Sequence, residues 1–470
     1  MRPALAPFLL LAALATAQAP APEVAVRTEV SESLDLLCVA ARFAGFEEYQ
    51  PRTPESGYSK AIAANFEGQS EHDLVQRLRV LRSEKGIGYD AVAGLAVHVG
   101  PLPGLEERCA LEPRPPMLDA RWDGADVKGL VALLRDFATR GDAAKFFDGW
   151  REHHREAERR LAAQLARSKA LPWFDAFFGK RAGASCIAQV GLLCGGHNYG
   201  VSIRFADGRP DELRPVFGCW KFDEQGLPVF GDEMLSLFVH ELCHAYTNPI
   251  VERHAKVLQD AGNRLFAAKA AAMRRQAYGN AHTVLCETFV RACVIRCMYD
   301  TEGEAAGRRQ ERFEVQKHFP WTVELAALLR EYQADRTKYP DFDAFVPRMA
   351  EALDRIAAAL ADAPQPPEVV RTDPADGSAD VDPARTSITI EFDRPMRDQS
   401  WSVVGTKAEL PAITGKPCYD RVRRVLTLPV QLEPGRTYRI RLNDEVRTGF
   451  QAENGAVLLP VVVEFRTRAK

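Results

Sequence analysis

No stretch of about 18 uninterrupted apolar residues occurs in this 470-residue chain, so no segment reads as a helix that crosses a bilayer. An excess of either charge is missing too: 61 Lys and Arg face 64 Asp and Glu, a net charge of −3. That balance gives no general attraction to nucleic acid or to an anionic membrane surface. Cysteine is scarce, ten residues with no Cys-x-x-Cys spacing. This is too few for a miniprotein built on disulfides, though enough for several bridges in an oxidising compartment. Gly195-Gly196 is not followed by Lys-Ser or Lys-Thr, so it reads as a turn rather than a phosphate loop. No internal repeat is visible. What remains, 46% hydrophobic and 27% charged residues, excludes collagen, coiled coil and polytopic membrane protein. The length implies two or three globular domains.

The order of features at the start predicts a signal peptide over residues 1–19. Arg2 supplies a positive n-region, Phe8 to Ala15 an apolar h-region, and Ala17-Gln18-Ala19 a small-x-small cleavage site. The mature chain is therefore expected to be exported, to the periplasm or beyond the cell. The predicted fold class is α+β, with a first domain over 24–361. Apolar residues at helical spacing recur in Leu34 to Phe43, Leu74 to Leu81, Val127 to Phe137 and Trp150 to Leu171. In the last of these, His153-His154 sits among Arg and Glu and reads as solvated. Between 185 and 222 the texture changes to short segments rich in Val, Ile and aromatics: Cys186 to Cys194, Tyr199 to Phe205 and Val216 to Trp220. They predict a small, partly antiparallel sheet. Helical patterns resume at 232 and run to about 360. A Pro-rich linker follows over 362–368, and the alternating runs Ser387 to Phe392, Val425 to Val430, Thr437 to Leu442 and Val461 to Phe465 predict an all-β sandwich over 369–470.

The chemistry-bearing residues are Val239-His240-Glu241-Leu242-Cys243-His244-Ala245-Tyr246. Asp232 is a plausible N-cap, Leu235, Phe238, Val239 and Leu242 give an apolar stripe, and Thr247-Asn248-Pro249 is expected to stop the helix. His240 and His244 then stand one turn apart on one face, so both imidazoles reach a single zinc ion. Glu241, beside the first ligand, is placed to take a proton from the ion's water without binding the ion. The third ligand must come from elsewhere: Glu252, His254, His282 and Glu287 are candidates. Glu287 is preferred because its surroundings, Thr283 to Ile295, are apolar on most sides, and a lone carboxylate there must be paired or metal-bound. Arg291, one turn on, is either its intrahelical salt-bridge partner or a support for a Glu287 that binds zinc. Tyr246, His254, Tyr278 and His282 are candidate donors to a developing oxyanion. Tyr199 to Phe205 is a candidate edge for holding an extended peptide. Cys243 and Cys286 read as buried apolar residues or disulfide partners. The basic stretch 253–275 reads as a solvated amphipathic helix over the site.

His240-Glu241-Leu242-Cys243-His244 with downstream Glu287 resembles the gluzincin class of zinc metallopeptidases. More narrowly, the chain is similar to a family of secreted bacterial HExxH proteins catalogued mainly as a domain of unknown function. The similarity is carried by Phe43 to Tyr49, Gly88-Tyr89-Asp90-Ala91, His240 to Pro249, Glu287 to Ala292, and Glu331-Tyr332 through Tyr339-Pro340-Asp341-Phe342. It implies a zincin-like, mostly helical peptidase domain with His240, His244 and Glu287 on one zinc ion and Glu241 as base. Cys286 stands where better-known gluzincins commonly have Asn, and 42 residues lie between His244 and Glu287. The C-terminal part resembles the bacterial Ig-like domain of surface-layer and secreted proteins, through Thr372 to Gly377, Ile390 to Met396 and Leu432 to Tyr438. Such modules imply a spacer or a contact with the cell envelope. The expected activity is hydrolysis of a peptide or protein substrate. The alternatives are a non-catalytic envelope-binding protein on the same scaffold, and a zinc hydrolase of a non-peptide amide or ester.

Overall fold

The computed structural model describes residues 26–51, 55–181, 183–362, 366–444 and 446–469; the signal peptide predicted over 1–19 lies outside them, as does part of the linker. The chain divides into two compact units after Ile356. The first opens with strand β1 (Arg27–Glu29), then helices α1 (Glu32–Phe43), α2 (Gly57–Phe66), α3 (Asp73–Lys85), α4 (Asp90–Val97), α5 (Val127–Arg140), α6 (Ala143–Leu165) and α7 (Ala170–Phe178). Strands β2 (Ser185–Gly191), β3 (Ser202–Ile203), β4 (Glu212–Leu213) and β5 (Val216–Gly218) come next. Helices α8 (Glu233–Arg253), α9 (Ala255–Arg275), α10 (Ala281–Glu302), α11 (Glu304–Gln316), α12 (Trp321–Ala334) and α13 (Phe342–Asp362) complete the helical run.

The sheet is small and partly antiparallel, as expected, but parallel pairing dominates it. It runs β1-β2-β4-β3, with β5 also on β2, and β2 pairs in parallel with β1, β4 and β5. Only β3 with β4 is antiparallel. A central parallel strand is covered on both faces, and six of the seven β2 residues are buried. Its sequence therefore lacks the alternation that would have announced the pairing. Two helical expectations also change. The pattern from Trp150 to Leu171 is split between α6 and α7, and Pro172 lies in the first turn of α7, where a missing N–H costs no helical bond. His154 is 7% exposed, not solvated. It lies on the inward stripe Phe147, His154, Ala157, Leu161 and Leu165 of α6, edge-on to Tyr58 at 5.2 Å.

Helix α10 is the axis of the second half, packed against α7, α8, α9, α11 and α12. Every residue from Val284 to Met298 is buried, as a segment apolar on most sides requires. Asn280 caps it, its Oδ1 accepting the Thr283 N–H at 2.9 Å.

The second unit is all β: β6 (Val369–Asp373), β7 (Ser378–Val381), β8 (Ser387–Phe392), β9 (Val403–Val404), β10 (Ala412–Ile413), β11 (Cys418–Tyr419), β12 (Val425–Gln431), β13 (Thr437–Leu442) and β14 (Val461–Thr467). One sheet is ordered β10-β12-β8-β6 with β11 on β12, the other β7-β14-β13-β9. Alternate residues of β8, β12 and β13 point inward. Ile388, Ile390, Leu426 and Leu428 of one sheet share a core with Tyr438, Ile440, Leu442 and Phe465 of the other, a sandwich with its own interior.

Candidate metal centre

Helix α8 does not stop at Thr247-Asn248-Pro249; it continues through Pro249 to Arg253. A proline inside a helix leaves the carbonyl four residues back without its N–H partner, here that of Ala245. Arg181 donates to that carbonyl through Nη2 at 2.8 Å, so a side chain from another segment supplies the missing donor and the helix runs on. The continuation matters for the site. It places Asn248 one turn beyond His244, where its Oδ1 lies 3.2 Å from His244 Nδ1. An amide oxygen can only accept. Nδ1 is therefore the protonated nitrogen and Nε2 keeps its lone pair for a ligand.

One face of α8 buries Met234, Leu235, Phe238, Val239 and Leu242. The opposite stripe carries His240 and His244, whose rings are 5.1 Å apart. Both side chains are 16% exposed, so solvent reaches the imidazoles. Glu287 arrives from α10: its Oε2 is 3.6 Å from His240 Nε2 and its Oε1 3.6 Å from His244 Nε2. One donor atom from each of the three residues falls within 4.8 Å of the others, and no other such group occurs among the described residues. Two imidazole nitrogens and a carboxylate oxygen, gathered from two helices with one nitrogen's tautomer already set, fit a divalent ion of zinc's type.

The electrostatics suit a cation. Burial pushes the Glu287 carboxyl up, but the charge and hydrogen bond of Arg291 lead the effects that outweigh it and hold it at about 2, so the group is anionic. Burial lowers the His240 imidazole to about 3 against the pull of Glu287, which keeps the ring neutral. Glu241 is 6% exposed, and burial followed by the charge of Glu287 raises its carboxyl well above the usual range. Arg291 donates to Glu287 Oε2 through Nε at 3.0 Å, and the charge of its Nη2 lies 2.8 Å from the same oxygen. Its Nη1 reaches Glu314 Oε2 at 2.6 Å and its Nη2 the Tyr278 hydroxyl at 2.9 Å.

Of the residues singled out from sequence, His240, Glu241, His244, Glu287 and Arg291 come together. Tyr246 does not. It lies about 200° round the helix from His244, stacked on Phe174 at 4.9 Å and Phe178 at 5.0 Å with Arg181 over its ring, so it is a packing residue. His254 pairs with Asp343 at 2.9 Å, and the exposed His282 lies 4.0 Å from Glu252. Tyr278 is spent on Arg291. All ten cysteines are free thiols, Cys243 and Cys286 both buried.

Asn248 and Glu314 escaped the sequence reading, although Asn248 repeats the four-residue step from His244 and was visible in principle. So did the meaning of Gly200, in the segment read as a candidate peptide edge; within that segment only Ser202–Ile203 forms a strand. A Cβ on Gly200 would stand 2.5 Å from the Glu241 carbonyl oxygen and 2.8 Å from His244 Cβ, so the backbone there lies directly on α8. Tyr89 flanks the same region. It holds φ +50 at the start of α4, fixed by Glu48 on its N–H and the Tyr49 hydroxyl on its carbonyl, both at 2.9 Å. Its ring meets His197 edge-on at 5.6 Å, and the charge of neighbouring Asp90 is felt at Glu241.

Comparison with known proteins bears on both units. The family described as a domain of unknown function (DUF4932) matches residues 120–352, a span that contains the whole donor set. The family described as a bacterial Ig-like domain matches residues 363–467. No curated protein matches the chain. Among solved structures, CopC from Methylosinus trichosporium OB3b is similar at 15% identity and a TM-score of 0.17, over 22% of this chain and 94% of that one. Domains 1–6 of the surface layer protein SbsC are similar at 17% identity and a TM-score of 0.18, over 50% of this chain and 33% of that one. These likenesses are too slight to carry structural weight. The chain thus carries a DUF4932 domain, a domain of unknown function, followed by a bacterial Ig-like domain.

Proposed function

We propose that the first unit is a zincin-like, zinc-dependent peptidase of an exported protein, and that the Ig-like domain provides contact with the cell envelope. The observation that supports this reading is the convergence of His240, His244 and Glu287 within 4.8 Å, with Glu241 next to the first ligand and solvent reaching the imidazoles. A non-catalytic metal site has no use for Glu241.

When bound, zinc supplies Lewis acidity, lowering the pKa of a water at the site towards about 7 and polarising the carbonyl under attack. His240 and His244 would hold it through Nε2, and Glu287 through a carboxylate oxygen. Asn248 keeps the His244 ring in the tautomer this needs. The Glu241 carboxylate accepts the proton of the attacking water and delivers it to the leaving nitrogen.

Metal analysis of the purified full chain is expected to find one zinc per molecule, and digestion of a broad peptide library is expected to give cleavage. Glu241→Gln is expected to retain zinc and lose at least about a hundredfold in turnover, because a positioned base contributes that much or more. Undiminished hydrolysis by metal-loaded Glu241→Gln overturns the mechanism. The Ig-like domain favours a second reading, an envelope-binding protein without catalysis, and bound zinc with no cleavage of any peptide selects it. Cleavage of a non-peptide amide or ester alone changes the substrate class and leaves the roles of the residues intact.

A further inference from the structure

An arginine touching a metal ligand is hostile to a cation: its charge cancels that of the carboxylate and repels the ion. Arg291 is placed in that way, its Nε–H donating to Oε2 of Glu287 at 3.0 Å and its Nη2 2.8 Å from the same oxygen. The hostility is removed by a residue of the next helix. Glu314, buried in α11, takes Arg291 Nη1 on Oε2 at 2.6 Å, while Gln310 donates to its Oε1 at 2.6 Å. The guanidinium also lies over the Phe319 ring at 4.5 Å and reaches the Tyr278 hydroxyl, so every edge of its planar fork is engaged. Glu287, Arg291 and Glu314 together carry one net negative charge, where Glu287 and Arg291 alone would carry none.

We infer that Glu314 is a positioning residue of the metal centre: it offsets the charge of Arg291 and fixes the guanidinium that orients the Glu287 carboxylate between His240 and His244. This rests on the zinc reading above. The Arg291 Nε–H bonds Oε2 at 3.0 Å, while Oε2 faces His240 Nε2 and Oε1 faces His244 Nε2, each at 3.6 Å, so the guanidinium sets the tilt of the carboxylate between the two imidazoles. A structural ion pair would serve folding only; a positioning residue also sets the affinity for the ion and the geometry around it.

The test uses the full chain, with zinc affinity read by competition with a chromophoric chelator, the absorption spectrum of the cobalt-substituted protein, and the melting temperature of the metal-free protein. Glu314→Gln keeps the shape and removes the charge. It is expected to weaken zinc binding ten- to a hundredfold, the usual loss when a group supporting a ligand is removed, and to alter the cobalt spectrum. The charge-preserving Glu314→Asp is expected to recover part of the affinity. Should Glu314→Gln fail to fold, Gln310→Ala carries the test, with an expected three- to tenfold loss as Glu314 is loosened. Zinc binding within twofold of wild type, with an unchanged cobalt spectrum, in the folded variant overturns the inference alone. Wild-type protein that takes up no zinc overturns the functional reading and this inference with it.

Discussion

At His244 a single amide decides which ring nitrogen is free. Because Asn248 Oδ1 accepts from Nδ1, Asn248→Ala is expected to weaken zinc binding ten- to a hundredfold without removing any ligand, a loss that chelator competition measures. A second residue-scale expectation concerns Asp35, fully buried in α1. Tyr58 donates to its Oδ2 at 2.6 Å, but Oδ1 has no partner among the described residues. Burial pushes the carboxyl up to about 7, against the Tyr58 hydrogen bond and with help from Glu32. The folded state therefore holds a proton that the unfolded chain releases near pH 4. Between about pH 4 and 7 the native protein binds more protons, so its stability falls as pH rises, by at most about 1.4 kcal/mol per pH unit, and levels off above 7. Asp35→Asn is expected to flatten this slope. Urea unfolding at several pH values checks it, and an unchanged slope would show that the proton lies elsewhere.

Between elements, close approach does the positioning. The backbone at Gly200 touches α8 at the residues that carry the chemistry, and Gly200→Ala forces a carbon to 2.5 Å from the Glu241 carbonyl oxygen. Relief requires a backbone shift that costs about 1–3 kcal/mol. It is expected to appear as a lower melting temperature together with weaker zinc binding, since the shift moves His244. At this scale the sequence was informative wherever periodicity has one cause. The four-residue step of His240 and His244, the buried α10 and the alternation in β8, β12 and β13 were all readable. Distant partners were not. That Arg181 would carry α8 past Pro249 depends on a contact between residues 64 apart. That Tyr246 would stack on Phe174 follows from packing that no local spacing announces. The parallel pairing of β1 with β2 joins residues some 160 positions apart, and a three-residue strand has no period to read.

Across the whole molecule the helical unit and the sandwich each enclose an interior of their own. An ion bound by the native first unit stabilises that unit alone, by about 4 kcal/mol when free zinc exceeds its dissociation constant a thousandfold. Calorimetry of the full chain is therefore expected to show two transitions, one raised several degrees by zinc and returned by chelator, the other unmoved. Equal shifts of both would show a single cooperative unit. The donors themselves are gathered closely along the chain: 46 residues lie between His240 and Glu287, and α8, α9 and α10 pack on one another. The run of chain from α8 to α10 thus contains every residue of the candidate donor set, with none supplied by the amino-terminal helices or by the sandwich.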